Sequence, residues 1–263
     1  MRPLFLLLTS AVAKPFWYES IHHNGLNPTL PSGQNWTVFR NVKDYGAKGD
    51  GLTDDTAAIQ LAISSGNQLS TRETGHFGST GQPAVVYFPS GTYLVHATIR
   101  SAIGTVLIGN PTDRPVIKAA TNFTGTYLLF GRDRQLAGLV GFYHGIKHLV
   151  LDSTEVAANR SLTLLEWNVS QANQLSNVLF RMPRAYGDAG HTGVFTGGMC
   201  SGLIMNDLVF EGGGTGIALA ATQYHLKSMV FKGAFTFFFS LPFFENILSV
   251  GSTADSNRGQ NRD

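Results

Sequence analysis

The chain has 263 residues, 43% of them hydrophobic, with 30 glycines, one cysteine and a net charge of +2. A single cysteine excludes a disulfide framework, so stability has to come from a buried core, and this length and composition fit one large domain. Near-neutral charge without a basic run excludes nucleic acid and anionic membranes as natural partners.

Residues 1–13 read as a secretory signal, with Arg2, an apolar core from Leu4 to Leu8, and Ala11-Val-Ala13 as a small-residue cleavage site. The stretch is too short to cross a bilayer, and no later one supplies the roughly 18 continuous apolar residues a span needs. A secreted, extracellular protein is expected, and the glycosylation sequons at Asn35, Asn122, Asn159 and Asn168 suit that compartment.

Residues 14–40 scatter Trp17, Tyr18, Trp36 and Phe39 among Asn, Pro and Gly without periodicity, which predicts an irregular aromatic strap packed on the body. The sharpest local motif follows, Val42-Lys-Asp-Tyr-Gly-Ala-Lys-Gly-Asp-Gly-Leu-Thr-Asp-Asp-Thr56. Thr53 or Asp54 can cap a helix with an apolar stripe of Ala58, Leu61 and Ala62, and Asp55 sits where the helix dipole favours an anion. Gly46, Gly49 and Gly51 permit the tight turns that bring such a helix over the open end of a sheet. These aspartates therefore read as structural.

From Ile146 the chain repeats itself. Ile146-Lys-His-Leu-Val-Leu-Asp152, Leu175-Ser-Asn-Val-Leu-Phe-Arg181, Met205-Asn-Asp-Leu-Val-Phe-Glu211 and Leu226-Lys-Ser-Met-Val-Phe-Lys232 share one pattern: apolar, two polar, three apolar, charged. Short β-branched and aromatic runs separated by turn residues, recurring at the spacing of stacked supersecondary units, predict one strand-bearing coil per copy. The fold class expected is all-β: a right-handed single-stranded parallel β-helix with an N-terminal capping helix. Asp152, Arg181, Glu211 and Lys232 would then stack as a ladder of alternating charge, about 4.8 Å apart, which assigns Glu211 to structure rather than catalysis.

Residues 41–233 form this domain. After Gly233 the chain reads Ala234-Phe-Thr-Phe-Phe-Phe-Ser-Leu-Pro-Phe-Phe244 and then a polar stretch to Asp263. Residues 234–263 are expected to be an atypical apolar run, poor as a coil, followed by a disordered tail.

Tyr45-Gly-Ala-Lys-Gly-Asp-Gly-Leu-Thr-Asp-Asp-Thr56 with Val85-Val-Tyr-Phe-Pro-Ser-Gly-Thr-Tyr-Leu-Val95 resembles the opening of pectate-lyase-superfamily β-helix proteins. Phe16-Trp-Tyr-Glu19, Leu107-Ile-Gly-Asn-Pro111, Trp167-Asn-Val-Ser-Gln-Ala172, His191-Thr-Gly-Val-Phe195 and Asn206-Asp-Leu-Val-Phe-Glu-Gly-Gly213 are similar to the amino-terminal domain of fungal glycoside hydrolase family 55, the β-1,3-glucanases. The resemblance implies an inverting, exo-acting enzyme of two β-helix domains. In it the amino-terminal half helps hold the attacking water and a second domain, not recognisable in this sequence, supplies the acid glutamate. It implies β-1,3-glucan or a related neutral polysaccharide as partner, and no activity for this half alone; a non-catalytic glucan-binding remnant and another pectate-lyase-like polysaccharide enzyme are the alternatives.

Where that family reads Gly-Asn-Gln-Gln-Phe-Thr, this chain has Ala220-Ala-Thr-Gln-Tyr-His225, so Gln223 is the candidate for positioning water. Asp188, in the loop Tyr186-Gly-Asp-Ala-Gly190, and the adjacent His191 are the candidates for contact with substrate. The eight histidines form no HxH or HExxH pattern, so no metal and no cofactor are expected.

Overall fold

The computed structural model describes residues 16–23, 36–65, 82–133, 140–184, 189–198 and 200–233, and the backbone of 236–240 and 247–248. The predicted signal, Asn35, Asp188 and the polar carboxy-terminal stretch lie outside these. No helix among the described residues is long and apolar enough to cross a membrane.

Eighteen strands among the described residues wind into a right-handed parallel β-helix with three faces. The first face stacks β1 (Phe39–Asn41), β3 (Ala84–Phe88), β6 (Thr105–Gly109), β9 (Gly145–Lys147) and the leading halves of β12 (Gln174–Arg181), β14 (Leu203–Glu211) and β16 (Tyr224–Lys232). The second stacks β2 (Asp50–Asp54), β4 (Thr92–Val95), β7 (Val116–Ala119), β10 (Val150–Asp152) and the trailing halves of the same three strands. The third stacks β5 (Ile99–Arg100), β8 (Tyr127–Phe130), β11 (Leu162–Glu166), β13 (His191–Phe195), β15 (Thr215–Leu219) and β17 (Thr236–Ser240).

The sequence repeat is the register of this helix. Ile146 pairs with Leu175, Leu175 with Met205 and Met205 with Leu226, while Asp152 pairs with Arg181, Arg181 with Glu211 and Glu211 with Lys232. The second polar residue of each copy turns the corner from first face to second: His148, Asn177, Asp207 and Ser228 all adopt left-handed backbone, at φ of 53–57°. Asn, Asp and His tolerate that region better than most side chains, which is why polar residues recur there.

The ladder carries the expected ion pairs. Arg181 lies 3.3 Å from Asp152 and 3.8 Å from Glu211, and Lys232 lies 3.5 Å from Glu211. Arg181 and Glu211 are partly exposed and Lys232 is exposed, while buried Asp152 is also held by Thr154 N and Thr154 Oγ1, so such pairs contribute about 1 kcal/mol each. Arg181→Ala removes two such pairs and is therefore expected to lower stability by no more than about 2 kcal/mol, with the difference shrinking in high salt, as read from urea unfolding at two ionic strengths.

Inside, apolar columns run the length of the helix. Tyr93, Ile117, Leu151, Phe180, Phe210 and Phe231 stack along the second face, with Phe180 and Phe210 4.8 Å apart and Phe210 and Phe231 4.9 Å apart, their rings nearly parallel. Leu129, Leu165, Val194 and Ile217 form the matching column of the third face.

The capping helix is α2 (Thr56–Ser64), preceded by the short helix α1 (Trp17–Ser20) of the strap. Its buried side chains are Ile59, Ala62 and Ile63; Leu61, expected on the buried stripe, is exposed. The buried face runs through Ile59, Ala62 and Ile63: Ile59 and Ile63, four residues apart and each two residues from Leu61, share the side of the helix opposite to it. Its position over the open coil is fixed by Gln60, whose amide accepts from Arg100 N (2.9 Å) and donates to Arg100 O (3.1 Å), satisfying the edge backbone of β5.

The aspartates are structural, as read from sequence. Asp50 accepts from Leu52 N, Thr53 N and Thr53 Oγ1, which hold its carboxyl down at about 2, and Asp54 accepts from Thr56 N and Thr56 Oγ1. Buried Asp55 accepts from Lys48 N (2.6 Å) and Gly49 N (3.0 Å), so it ties the glycine loop to the helix start rather than capping the helix itself.

The aromatic strap packs on the first face: His23 stacks on Phe39 at 3.6 Å, Tyr18 meets Phe39 and Tyr87, and Tyr87 donates to Glu19. At the other end the phenylalanine run departs from expectation. Thr236–Ser240 is a strand paired in parallel with β15, and β18 (Ile247–Leu248) pairs with β16, so the coil continues beyond Gly233. A Thr-flanked aromatic run has high strand propensity, and a ready parallel edge outweighs its lack of turn residues.

Candidate functional site

The chain leaves the third face and enters the first through three stacked turns, described at 167–173, at 196–198 with 200–202, and at 220–223. Trp167 N donates to Phe195 O, Thr196 N to Ala218 O and Thr222 N to Cys200 O, which holds the turns in register. Buried Asn173 adds cross-links: its amide donates to Gly202 O (3.1 Å) and accepts from Ile204 N (3.4 Å).

On the outside of this corner stand an exposed amide, a hydroxyl and a second exposed amide. Gln171 Nε2 donates to Ser201 Oγ at 3.3 Å. Gln223 precedes Tyr224 as Gly202 precedes Leu203, and Tyr224 pairs with Leu203, so Gln223 stands one coil further along the same edge. Tyr143 and Val140, both exposed, flank the row on the coil before, where Ser170 N donates to Gly141 O. Amides and hydroxyls both donate and accept, the capacity needed to hold a water or a sugar hydroxyl.

Beside the row lies a carboxyl that sequence reading passed over. Glu166 ends β11 and is 2% exposed. It shares a register column with Phe130 and with Phe195, an exposed phenylalanine. Burial pushes its carboxyl above the usual range, and the nearby Arg132 guanidinium, 3.4 Å away, only partly opposes this. Oε1 accepts from Asn168 Nδ2, while Oε2 has no hydrogen-bond partner.

Of the other candidates, Asp188 lies outside the described residues and His191 is placed elsewhere. His191 opens β13 at the far end of the third face, buried, with Nε2 donating to Ala157 O (3.0 Å) and Nδ1 accepting from Ser153 Oγ (2.8 Å). Burial lowers its affinity for a proton, and both ring nitrogens are committed inside the chain. The structure therefore does not bring His191 to Gln223. Among the described residues no group of three His, Cys, Asp or Glu side chains is arranged to hold a metal.

Gln171 and Ser201 were within reach of sequence reading, since Gln171 lies in the quoted Trp167–Ala172 motif. Their shared edge appears only once the turns are stacked. Glu166 gave no signal, because a charged residue closing an apolar strand looks like another member of the ladder.

Fold and corner together define a single-stranded parallel β-helix protein with an exposed polar edge. The chain belongs to the rhamnogalacturonase A/epimerase, pectate lyase-like family, whose model matches residues 39–250. It is 38% identical over 86% of its length to a "Probable glucan endo-1,3-beta-glucosidase" of Arthroderma benhamiae, covering 26% of that protein. It is 37% identical over 84% of its length to a glucan 1,3-beta-glucosidase of Cochliobolus carbonum, covering 28% of it, and 36% identical over 86% to a "Non-secreted LysM effector" of Penicillium expansum, covering 18%. The chain thus spans about a quarter or less of the length of these relatives. A solved Parabacteroides merdae structure, described as a proposed glycosyl hydrolase, shares the fold at a TM-score of 0.50 and 14% identity, with 86% of this chain and 99% of that one covered.

Proposed function

We propose that this chain is the non-acid β-helix portion of a secreted, inverting β-1,3-glucan hydrolase of the exo-acting type, binding glucan at the corner of Gln171, Ser201 and Gln223. The observation that carries this is the exposed amide–hydroxyl–amide row beside a carboxyl that is buried. Inverting hydrolysis needs two carboxyl groups about 6.5–9.5 Å apart, one to protonate the leaving oxygen and one to activate water. A row of neutral polar groups can position water or sugar but cannot deliver that proton. Gln223 is assigned to water positioning, and the acid is assigned to a second β-helix packed against this one. Asp188 is kept in the proposal as a substrate contact; buried His191 is assigned to holding the loop at Ala157 and not to binding sugar.

The relatives named as glucan 1,3-β-glucosidases support the substrate, and the net charge of +2 suits a neutral polysaccharide. The test is co-sedimentation of the full chain with insoluble β-1,3-glucan, alongside assays for released sugar and for unsaturated products from pectate. Binding without turnover is expected. Failure to bind, release of glucose, or ultraviolet-absorbing pectate products would each overturn the reading.

Secretion carries a second expectation. Asn122 and Asn159 are exposed on adjacent loops joined by Arg160, which donates to Phe123 O and Gly125 O. Asn168 is different: its amide nitrogen donates to Glu166 and its oxygen accepts from Gly197 N. A glycan on that nitrogen, which is half-buried and bonded to Glu166, would crowd the turn and obstruct its closure. Peptide mapping after enzymatic deglycosylation of secreted protein is expected to find glycans at Asn122 and Asn159 and none at Asn168; an occupied Asn168 contradicts the assigned geometry.

A further inference from the structure

A buried carboxyl beside a neutral polar row calls for a reason, since desolvating a charge costs several kcal/mol and an apolar side chain could fill the gap between Phe130 and Phe195 more cheaply. The hydrogen bonds supply one. Glu166 Oε1 accepts from Asn168 Nδ2, and Asn168 Oδ1 accepts from Gly197 N. Cys200 Sγ donates to Gly197 O (2.7 Å), and Cys200 O accepts from both Thr222 N (3.1 Å) and Thr222 Oγ1 (3.3 Å).

The links cross three coils in sequence. They start at the end of β11, pass through the turn after β13 and finish in the turn after β15. Each of the last two members is followed directly by a member of the exposed row: Ser201 follows Cys200, and Gln223 follows Thr222. There is no slack where the chain of contacts begins, because a Cβ built on Gly197 would lie 2.8 Å from Asn168 Oδ1.

We propose that Glu166 is the positioning residue of this corner: acting through Asn168, it fixes the turns that set Ser201 and Gln223 in place beside Gln171. Its carboxyl touches neither water nor sugar. Only the consequence for glucan rests on the proposed function; the consequence for the turns stands by itself.

The test compares the full chain with Glu166→Gln, which keeps an oxygen acceptor, Glu166→Leu, which removes it, and Asn168→Ala, which cuts the next link and leaves the acid in place. The first readout is amide hydrogen exchange at Gly197 and Thr222, with Leu179 N, bonded to Leu149 O on another face, as the control. Losing one such bond corresponds to about tenfold faster local exchange. Glu166→Leu and Asn168→Ala are expected to speed Gly197 and Thr222 by about that factor, leave Leu179 unchanged, and be matched by wild-type rates in Glu166→Gln. Unchanged exchange at Gly197, equal acceleration at Leu179, or no rescue by glutamine would each overturn the proposal.

The second readout is laminari-oligosaccharide affinity. It is expected to fall about tenfold in the leucine variant at unchanged Leu179 exchange and to be kept by glutamine. Wild-type protein that binds no oligosaccharide would overturn the glucan reading, while the exchange data would still decide the role of Glu166.

Discussion

Arg40→Met is expected to lower the unfolding free energy by about 3 kcal/mol, shifting the urea midpoint with little change in slope. Arg40 ends up 2% exposed between β1 and the capping helix. Its guanidinium donates to Thr37 O (3.0 Å), Ala62 O (2.9 Å), Ile63 O (3.2 Å) and Ser65 Oγ (3.4 Å), and stacks 4.9 Å over Trp36. Two of these acceptors are last-turn carbonyls of α2, groups that no intrahelical N–H can satisfy and that carry the negative end of the helix dipole.

Methionine keeps the apolar stem but leaves those carbonyls buried and unpaired, at about 1–3 kcal/mol each. Relief of the desolvated charge offsets part of the loss. Burial already pulls the Arg40 guanidinium below its ordinary range, which shows the cost of keeping it there. Lysine, a point charge without the planar fork, should recover about half of the loss. A methionine variant within about 0.5 kcal/mol of wild type would mean that α2 is held by Ile59, Ala62 and Ile63 alone.

The second large effect lies in the aromatic column. Phe210→Ala is expected to cost about 4 kcal/mol, because it opens a cavity at a fully buried site and removes two ring contacts, those with Phe180 and Phe231. Little relaxation is available. Gly193, opposite, already approaches so closely that a Cβ there would meet the Phe210 ring at 2.6 Å and Gly216 O at 2.6 Å. Thermal unfolding of the two alanine variants should therefore rank Phe210→Ala well below Phe231→Ala, whose ring is only partly buried. Equal losses would show that the column is not the backbone of the core.

The later coils were legible because one residue makes their corner. With a single left-handed residue between first and second faces, both strands fall in one seven-residue pattern, and the charge that closes it announces the ladder. Earlier coils hide the same geometry. Between β6 and β7 the corner is the segment Asn110–Pro115, and between β3 and β4 it is Pro89–Gly91, so the two halves never read as one copy.

The third face was invisible for another reason. His191–Phe195 and Thr215–Leu219 contain the buried glycines Gly193 and Gly216, and at Gly193 the Phe210 ring fills the space a side chain would take. Local pattern cannot distinguish those glycines from turn residues. The polar corner failed to show for a third reason: Gln171, Ser201 and Gln223 are 30 and 22 residues apart and meet only through the coil period.

The central claim is that this corner binds β-1,3-glucan without hydrolysing it. Calorimetric titration of laminari-oligosaccharide into the full chain and into a Gln171→Ala/Gln223→Ala variant tests it most directly. The account predicts measurable binding by wild type, at least about a tenfold loss in the double variant, and no sugar released by either. Equal affinity in the two proteins would place the sugar elsewhere on the β-helix, and release of glucose by wild type would mean that the chain carries its own acid.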